Sequence, residues 1–375
     1  MKITSYQAIC NLGGNIDEIY KKAINGNINC FENINTFIKE DIRAGLIKTA
    51  LDKIEDKNFD LRCNRVLLKA SSLIDKEITR LKEKYSPENI AIVCATTNSG
   101  VEEYEKSQNQ IHSELSNPAY FLKNHLGLKG FYATVSTACS SGLKAFILAK
   151  DLLKSNSAQA VIVACVDTLA KIPAYGFNSL EILSDNPSIP FSKNRKGMNL
   201  GEAGVIFITE KEADSGIDIL GLGESSDIFH PTTPNPEAKE AIIAIKNALA
   251  EAKICASDVD YINVHGTGTI ANDIMEANAI FKIFPEATPV SSTKPMTGHC
   301  LGASAGIETA LCCKLIEEFD GRLYPHMYDG DYDENLPKLN LVQKNQKYKK
   351  CKIIMNNSFG FGGANVIMIM GKNEQ

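Results

Sequence analysis

One succession of segments recurs along this chain. An apolar run rich in β-branched residues gives way to a loop of glycine, serine and threonine, and a stretch with helical periodicity follows. NIAIVCATTNSG (89–100) reads as a buried strand leading into such a loop. AQAVIVACVD (158–167) and GEAGVIFITE (201–210) are further apolar strands. VDYINVHGTGT (259–269), KKCKIIMNNSFGFGG (349–363) and NVIMIM (365–370) carry the pattern through the C-terminal half. Helical spacing runs through LKAFILAKDLL (143–153), AKEAIIAIKNALAEA (238–252) and GIETALCCKLIEEF (306–319). Alternating strands and helices predict an α/β protein built on central sheets.

The pattern also echoes itself. VSTACSSGLKAFILA (135–149) can be set beside VSSTKPMTGHCLGASAGIETALCCKL (290–315). Each is a Val-Ser strand end, a turn of small residues carrying a reactive side chain, and an apolar helix. A duplicated α/β unit is therefore expected, with halves 1–210 and 211–375 and a join near 211–218. One irregular α/β domain is the alternative. HPTTPNP forms a turn before the helix that starts at 235–239, and YPHMYDGDYDENLPKLNL (324–341) reads as a long polar loop.

Several classes of protein are disfavoured. The 375 residues are 44% hydrophobic and carry a formal net charge of −5. No long Lys/Arg run is present, so neither nucleic acid nor an anionic membrane is the expected partner. KNQKYKKCK (344–352) reads as a solvated turn. No apolar run approaches the roughly 18 residues of a membrane span. MKITSYQAICNLGGN has no basic segment followed by an apolar one, and a soluble cytoplasmic protein is expected. The eleven cysteines are scattered, and Cys94, Cys165, Cys312 and Cys313 sit in apolar surroundings typical of reduced core thiols. None falls in a paired CxxC array, so structural zinc is not expected.

Cys139 stands apart. In TACSSG it precedes a helix and has only small neighbours. A helix N-terminus offers unpaired N–H groups and a positive dipole end, which favour a thiolate. The small neighbours leave room for a substrate carbonyl, and the N–H of Cys139 could serve an oxyanion. A buried structural cysteine is the competing reading. His265 in NVHGTGT and His299 in SSTKPMTGHCLGASAG also lie where strands run into loops, and the chain has only six histidines. Imidazoles there could donate to developing negative charge or take a thiol proton. A Cys/His/His metal site is the rival chemistry.

Lys294 and Glu308 flank His299 and could pair beneath it, or form a weak surface pair. Asp273 and Glu276, three apart, share one helical face. They are either an exposed acidic face or supports for Lys294 and His265. NNSFGFGGAN (356–365) permits close backbone approach, so one of its N–H groups could complete an oxyanion hole while Phe359 or Phe361 acts as a door. A phosphate-binding glycine loop is weaker, since no GK[ST] follows.

TACSSG, HGTGT, TKPMTGH and NSFGFGG, in that order, resemble the elongating β-ketoacyl-acyl carrier protein synthases. PFSKNRKGMNLGEAG (190–204) resembles that family's PFDxxRxGxxxGEG segment. The match covers 130–210 and 258–370, while the first 90 residues fit loosely through LGGNIDEIYKKAINGN (12–27). The resemblance implies the thiolase fold: two similar halves in a five-layered α-β-α-β-α core, assembled as a dimer. It implies that Cys139 accepts an acyl chain from a carrier-protein thioester. It gives His265 and His299 to malonyl decarboxylation, Lys294 with Glu308 to orienting the site, and Thr267 and Thr269 to the phosphopantetheine arm. Phe361 matches the gate, its N–H joining that of Cys139 in the oxyanion hole.

No bound cofactor is implied beyond that arm of the acyl carrier protein. Ser192 replaces the family's usual aspartate, and Pro295 stands where serine is common. TACSSG replaces TACATG, and the chain is shorter than housekeeping members. These features resemble the synthases of aryl-polyene-type pathways, whose partner is a chain-length-factor-like homologue. A non-catalytic subunit of the same fold, or a thiolase, are the alternatives. The first typically lacks the nucleophile, and the second would carry a late active cysteine where this chain has NSFGFGG.

Overall fold

The computed structural model of the protein describes residues 1–35 and 41–372. Ten strands build the frame. They are β1 (Lys2–Cys10), β2 (Ile90–Ala95), β3 (Tyr132–Val135), β4 (Ala160–Asp167) and β5 (Ala203–Glu210), then β6 (Ile217–Ser226), β7 (Tyr261–Asn263), β8 (Pro289–Ser291), β9 (Ile353–Phe359) and β10 (Ala364–Gly371). The first five hydrogen-bond in the order 1-5-4-2-3, and the second five in the order 6-10-9-7-8. The senses match as well. In each set the first two pairings are antiparallel and the last two parallel. A two-residue contact, Lys2 with Asp218 and Ile3 with Ile217, joins the sets at their antiparallel edges. Asn340–Leu341 adds a short strand beyond β8.

Six helices repeat in step: α1 (Arg62–Ser72), α2 (Asn117–His125) and α3 (Ser141–Lys154), then α4 (Lys239–Ala252), α5 (Ile270–Ile283) and α6 (Ser304–Glu317). Side-chain alternation along each strand decides which layer a residue feeds. On β4, Val161, Val163 and Cys165 join a core with Phe146 of α3 and Leu311 of α6. Ile162 and Ala164 face the other way, into a core with Val66 and Leu67 of α1 and Leu122 of α2. A third core packs Ile245 of α4 and Ile280 of α5 against Ile367 and Ile369 of β10. Helices α3 and α6 are thus enclosed between the two five-strand sets of the sheet, whose outer faces are also covered, which gives the α-β-α-β-α stack. Burial on both faces explains the continuous apolar strands of the sequence.

No helix among the described residues is long and apolar enough to cross a membrane. The segment 324–341 is an irregular connection apart from its last two residues, as its polar composition predicts.

Candidate active site

The reactive loops lie where strands hand over to helices. Strand β3 ends at Val135, and Ala138 turns the chain with φ +52°. Ser141 Oγ fixes this turn from both sides, accepting from Thr137 N at 2.8 Å and donating to Ala138 O at 2.6 Å. Cys139 stands two residues before the start of α3 and is 7% exposed. Ser358 Oγ, on β9, holds the Cys139 carbonyl at 3.0 Å. The backbone N–H groups of Phe361 and of Cys139 itself face the sulfur.

The helix start does not make the resting sulfur a thiolate. Burial pushes the Cys139 thiol up to about 11, against the pull of the Lys294 ammonium and the two N–H groups. Desolvation penalises the charged form, and here it exceeds the stabilisation expected from a helix end.

His265 lies just beyond β7. Glu276, on α5, accepts from His265 N at 2.8 Å, Gly266 N at 2.7 Å and Asn357 Nδ2 at 3.0 Å, so one carboxylate sets the imidazole-bearing loop. Asp273 and Glu276 are both 0% exposed, which removes the exposed acidic face as a reading. They also part company. Asp273 accepts from Phe191 N at 2.8 Å and Gly268 N at 3.3 Å and faces Arg195 Nε at 3.6 Å, so it supports neither Lys294 nor His265 directly. It shapes the turn between Thr267 and Thr269, whose hydroxyls lie 2.9 Å apart. Burial raises the Asp273 carboxyl to about 7.

His299 follows Gly298 and is anchored by its own backbone. Its N–H donates to Asn199 O at 2.7 Å, and its carbonyl accepts from Gly201 N at 3.0 Å. These loops meet. The Cys139 sulfur and one nitrogen from each of His265 and His299 lie within 4.8 Å of one another, all three residues buried. The imidazoles stand edge to face, with centroids 5.6 Å apart.

Hydrogen bonds assign the imidazole tautomers. Lys294 Nζ reaches His265 Nδ1 at 3.1 Å, His265 O at 2.6 Å and Glu308 Oε1 at 2.5 Å, which uses all three ammonium donors. An ammonium cannot accept, so His265 Nδ1 is the acceptor and Nε2 carries the proton. The N–H of Leu301 donates to His299 Nδ1 at 3.1 Å, with the same result. Burial, then Lys294 and His299, hold His265 well below the ordinary histidine value, and burial with Lys294 brings His299 down to about 3. Two neutral imidazoles therefore present Nε2–H donors. This favours charge stabilisation over proton abstraction from the thiol.

Lys294 and Glu308 are each 1% exposed, so the pair is buried. Burial raises Glu308 while Lys294 draws it back. The ammonium also bears on the metal reading, since a cation bound at His265 would sit close to a fixed positive charge. Among the described residues no fourth His, Cys, Asp or Glu joins the cluster.

Two cavities meet at the thiol. One, about 400 Å³, is lined by Cys139, His265, His299, Thr267 and Thr269, with Arg195 toward one side. The other, about 280 Å³, is lined by Cys139, Thr97, Asn98, Leu180 and Leu301. Phe177 and Phe361 border both, their rings 6.1 Å apart, and Phe361 is half-buried between the spaces. Phe359 has a different place. It is buried edge-on to His265 at 6.0 Å, so it buttresses an imidazole and cannot serve as a door. Sequence reasoning missed Phe177. It rides on the helix Lys171–Ser179, in a stretch without any motif to mark it.

A duplicated α/β stack with a thiol, two imidazoles and a lysine at its centre defines the thiolase-type condensing enzymes as a class. Residues 83–214 match the β-ketoacyl synthase N-terminal domain and residues 218–320 the C-terminal domain of the same name. The chain is 36% identical to 3-oxoacyl-[acyl-carrier-protein] synthase 2 of Coxiella burnetii over 263 residues, 65% of this chain and 63% of that one. The matched stretch thus spans less than two thirds of that relative's length. Against the Staphylococcus aureus enzyme of the same name, identity is 27% over 99% of this chain and 98% of the other. A solved ketosynthase–chain length factor complex from Xenorhabdus doucetiae includes a chain 34% identical, with TM-score 0.94, covering 99% of this chain and 98% of that one. The chain belongs to the β-ketoacyl synthase family, and its fold is the thiolase fold.

Proposed function

We propose that the protein is a 3-oxoacyl-[acyl-carrier-protein] synthase that extends an acyl chain by decarboxylating Claisen condensation. The observation that carries this reading is the meeting of the Cys139 sulfur with two neutral imidazoles whose Nδ1 atoms are already occupied. In the first half-reaction the Cys139 sulfur bonds to the acyl carbon of a carrier-protein thioester. The bond to the pantetheine sulfur breaks, and the thiol proton leaves on that sulfur. The N–H groups of Cys139 and Phe361 take the oxyanion.

In the second, malonyl thioester fills the larger cavity, with Thr267 and Thr269 beside the phosphopantetheine arm. Loss of CO₂ leaves an electron pair on carbon, and the Nε2–H groups of His265 and His299 hold the enolate oxygen. The carbanion attacks the acyl carbon, the C–S bond to Cys139 breaks, and the released thiolate takes up a proton from solvent. Lys294, paired with Glu308, keeps His265 in the donating tautomer. Phe361 and Phe177 separate the two spaces.

The partners are the acyl carrier protein and a second subunit of the same fold, either another copy or a chain-length-factor-like homologue. The fatty-acid or polyene-type pathway is read from the resemblance carried by Ser192, Pro295 and TACSSG, and the cytoplasm is the proposed compartment. The halves are 1–210 and 211–375, which the repeated strand orders and the break between the two family matches support. Cys139 disfavours a non-catalytic partner subunit. Cys139→Ala should abolish the acyl adduct seen by intact-protein mass spectrometry with acyl carrier protein thioesters. A stoichiometric adduct in the variant would reject the nucleophile.

A further inference from the structure

Asp167 ends β4 and is 0% exposed, and no ion pair to it forms among the described residues. Hydrogen bonds satisfy its charge instead. Oδ1 accepts from Thr96 Oγ1 at 2.7 Å and Asn98 N at 2.9 Å. Oδ2 accepts from Thr97 Oγ1 at 2.8 Å and Gly302 N at 2.7 Å, and Thr97 N lies 3.0 Å from both oxygens. These donors come from two loops far apart in sequence, one following β2 and one following His299.

Both loops wall the smaller cavity, one through Thr97 and Asn98 and the other through Leu301. Leu301 is also the residue whose N–H sets the His299 tautomer. It does so with φ +53°, a conformation that a leucine holds only when its surroundings impose it. Gly302 is the adjoining link, and its approach is close: a Cβ there would meet Asp167 Oδ2 at 2.8 Å.

We propose that Asp167 is a positioning residue that ties together the two loops walling the smaller cavity, where the acyl chain would lie, and holds the Leu301 N–H on His299, so that one carboxylate sets both acyl-chain selection and decarboxylation. The inference rests on the condensing function proposed above. Asp167→Asn keeps the shape but turns an NH₂ toward a backbone N–H, either of Gly302 or of the 97–98 loop.

Two measurements test it. The first is malonyl decarboxylation in the Cys139→Gln background, where kcat should fall about tenfold with KM little changed. The second is acylation of Cys139 by butanoyl- against dodecanoyl-carrier protein, read as the acyl adduct per chain by intact-protein mass spectrometry, where the ratio should shift about fivefold. Thr96→Val removes one donor to Asp167 and the acceptor of the Ser99 N–H without lining either cavity, and should give smaller shifts in both. It keeps the test open if Asp167→Asn does not fold. General destabilisation would reduce the number of active sites but would leave kcat per folded site and the chain-length ratio unchanged; that result overturns the proposal. Absence of acylation and decarboxylation in the protein with native Asp167 would remove the condensing function itself, and this role with it.

Discussion

At the scale of single residues, protonation states are set by burial and by who donates to whom. Cys139 is held as a thiol because desolvation outweighs the nearby cation and N–H groups. Its thiolate fraction should then rise tenfold with each unit increase in pH up to its value of about 11. Alkylation of Cys139 by iodoacetamide is expected to accelerate about tenfold per unit from about pH 7 to about pH 9. A plateau below pH 8 would mean that the helix end prevails after all. The histidines behave oppositely, since their lowered values keep them neutral. The imidazole nitrogen signals of His265 and His299, followed by NMR, should stay in the neutral range from about pH 5.5 to about pH 8. A shift of either into the imidazolium range would overturn the two-donor assignment. The motifs made Cys139, His265 and His299 legible because each lies in a short loop of small residues. Phe177 and Asp167 were illegible because their roles come from contacts 69 to 135 residues away, which no local pattern records.

At the scale of elements, what the sequence announced was what is buried on both faces. Strands β4, β5 and β10 are continuous apolar runs and were read directly. Strand β6, IDILGLGESS, was not, because Gly221 and Gly223 dilute its β-branched signature. Those glycines answer to packing against α4: a Cβ on Gly223 would meet Ala244 O at 2.0 Å. The same close approach governs the central layer. Helices α3 and α6 touch at Gly142 and Gly306, where a Cβ on Gly142 would meet Gly306 N at 2.8 Å. Helix propensity favours alanine over glycine by about 1 kcal/mol. Overpacking against a fixed backbone costs about 1–3 kcal/mol. The second should win, so Gly142→Ala is expected to lower the urea midpoint of unfolding. A raised midpoint would mean that the helices separate easily.

At the scale of the whole molecule, the sheet has two ends of different kinds. One is closed by the short strand Asn340–Leu341, while the other is β3, whose four residues are all at least partly exposed. Beside it Phe131 is 49% exposed, with Tyr120 and Tyr132 also exposed. An open edge flanked by aromatic rings is a surface that folded chains cover, because its unpaired N–H and C=O groups otherwise recruit strands at random. The proposed second subunit would supply that cover. Its placement has a chemical consequence, since only three residues separate the end of β3 from Cys139. Clamping the edge therefore steadies the turn that presents the sulfur. Phe131 stacks on no ring of its own chain among the described contacts, so Phe131→Lys should place a charge at the contact with little effect on the isolated fold. Sedimentation velocity is expected to show a species heavier than one chain for the native protein and a single chain for the variant. Acyl loading of Cys139 should fall about tenfold in parallel, as expected when a catalytic group loses its positioning. Equal sedimentation of the two proteins would place the subunit contact elsewhere. Dissociation without loss of loading would show that the nucleophile turn is rigid on its own.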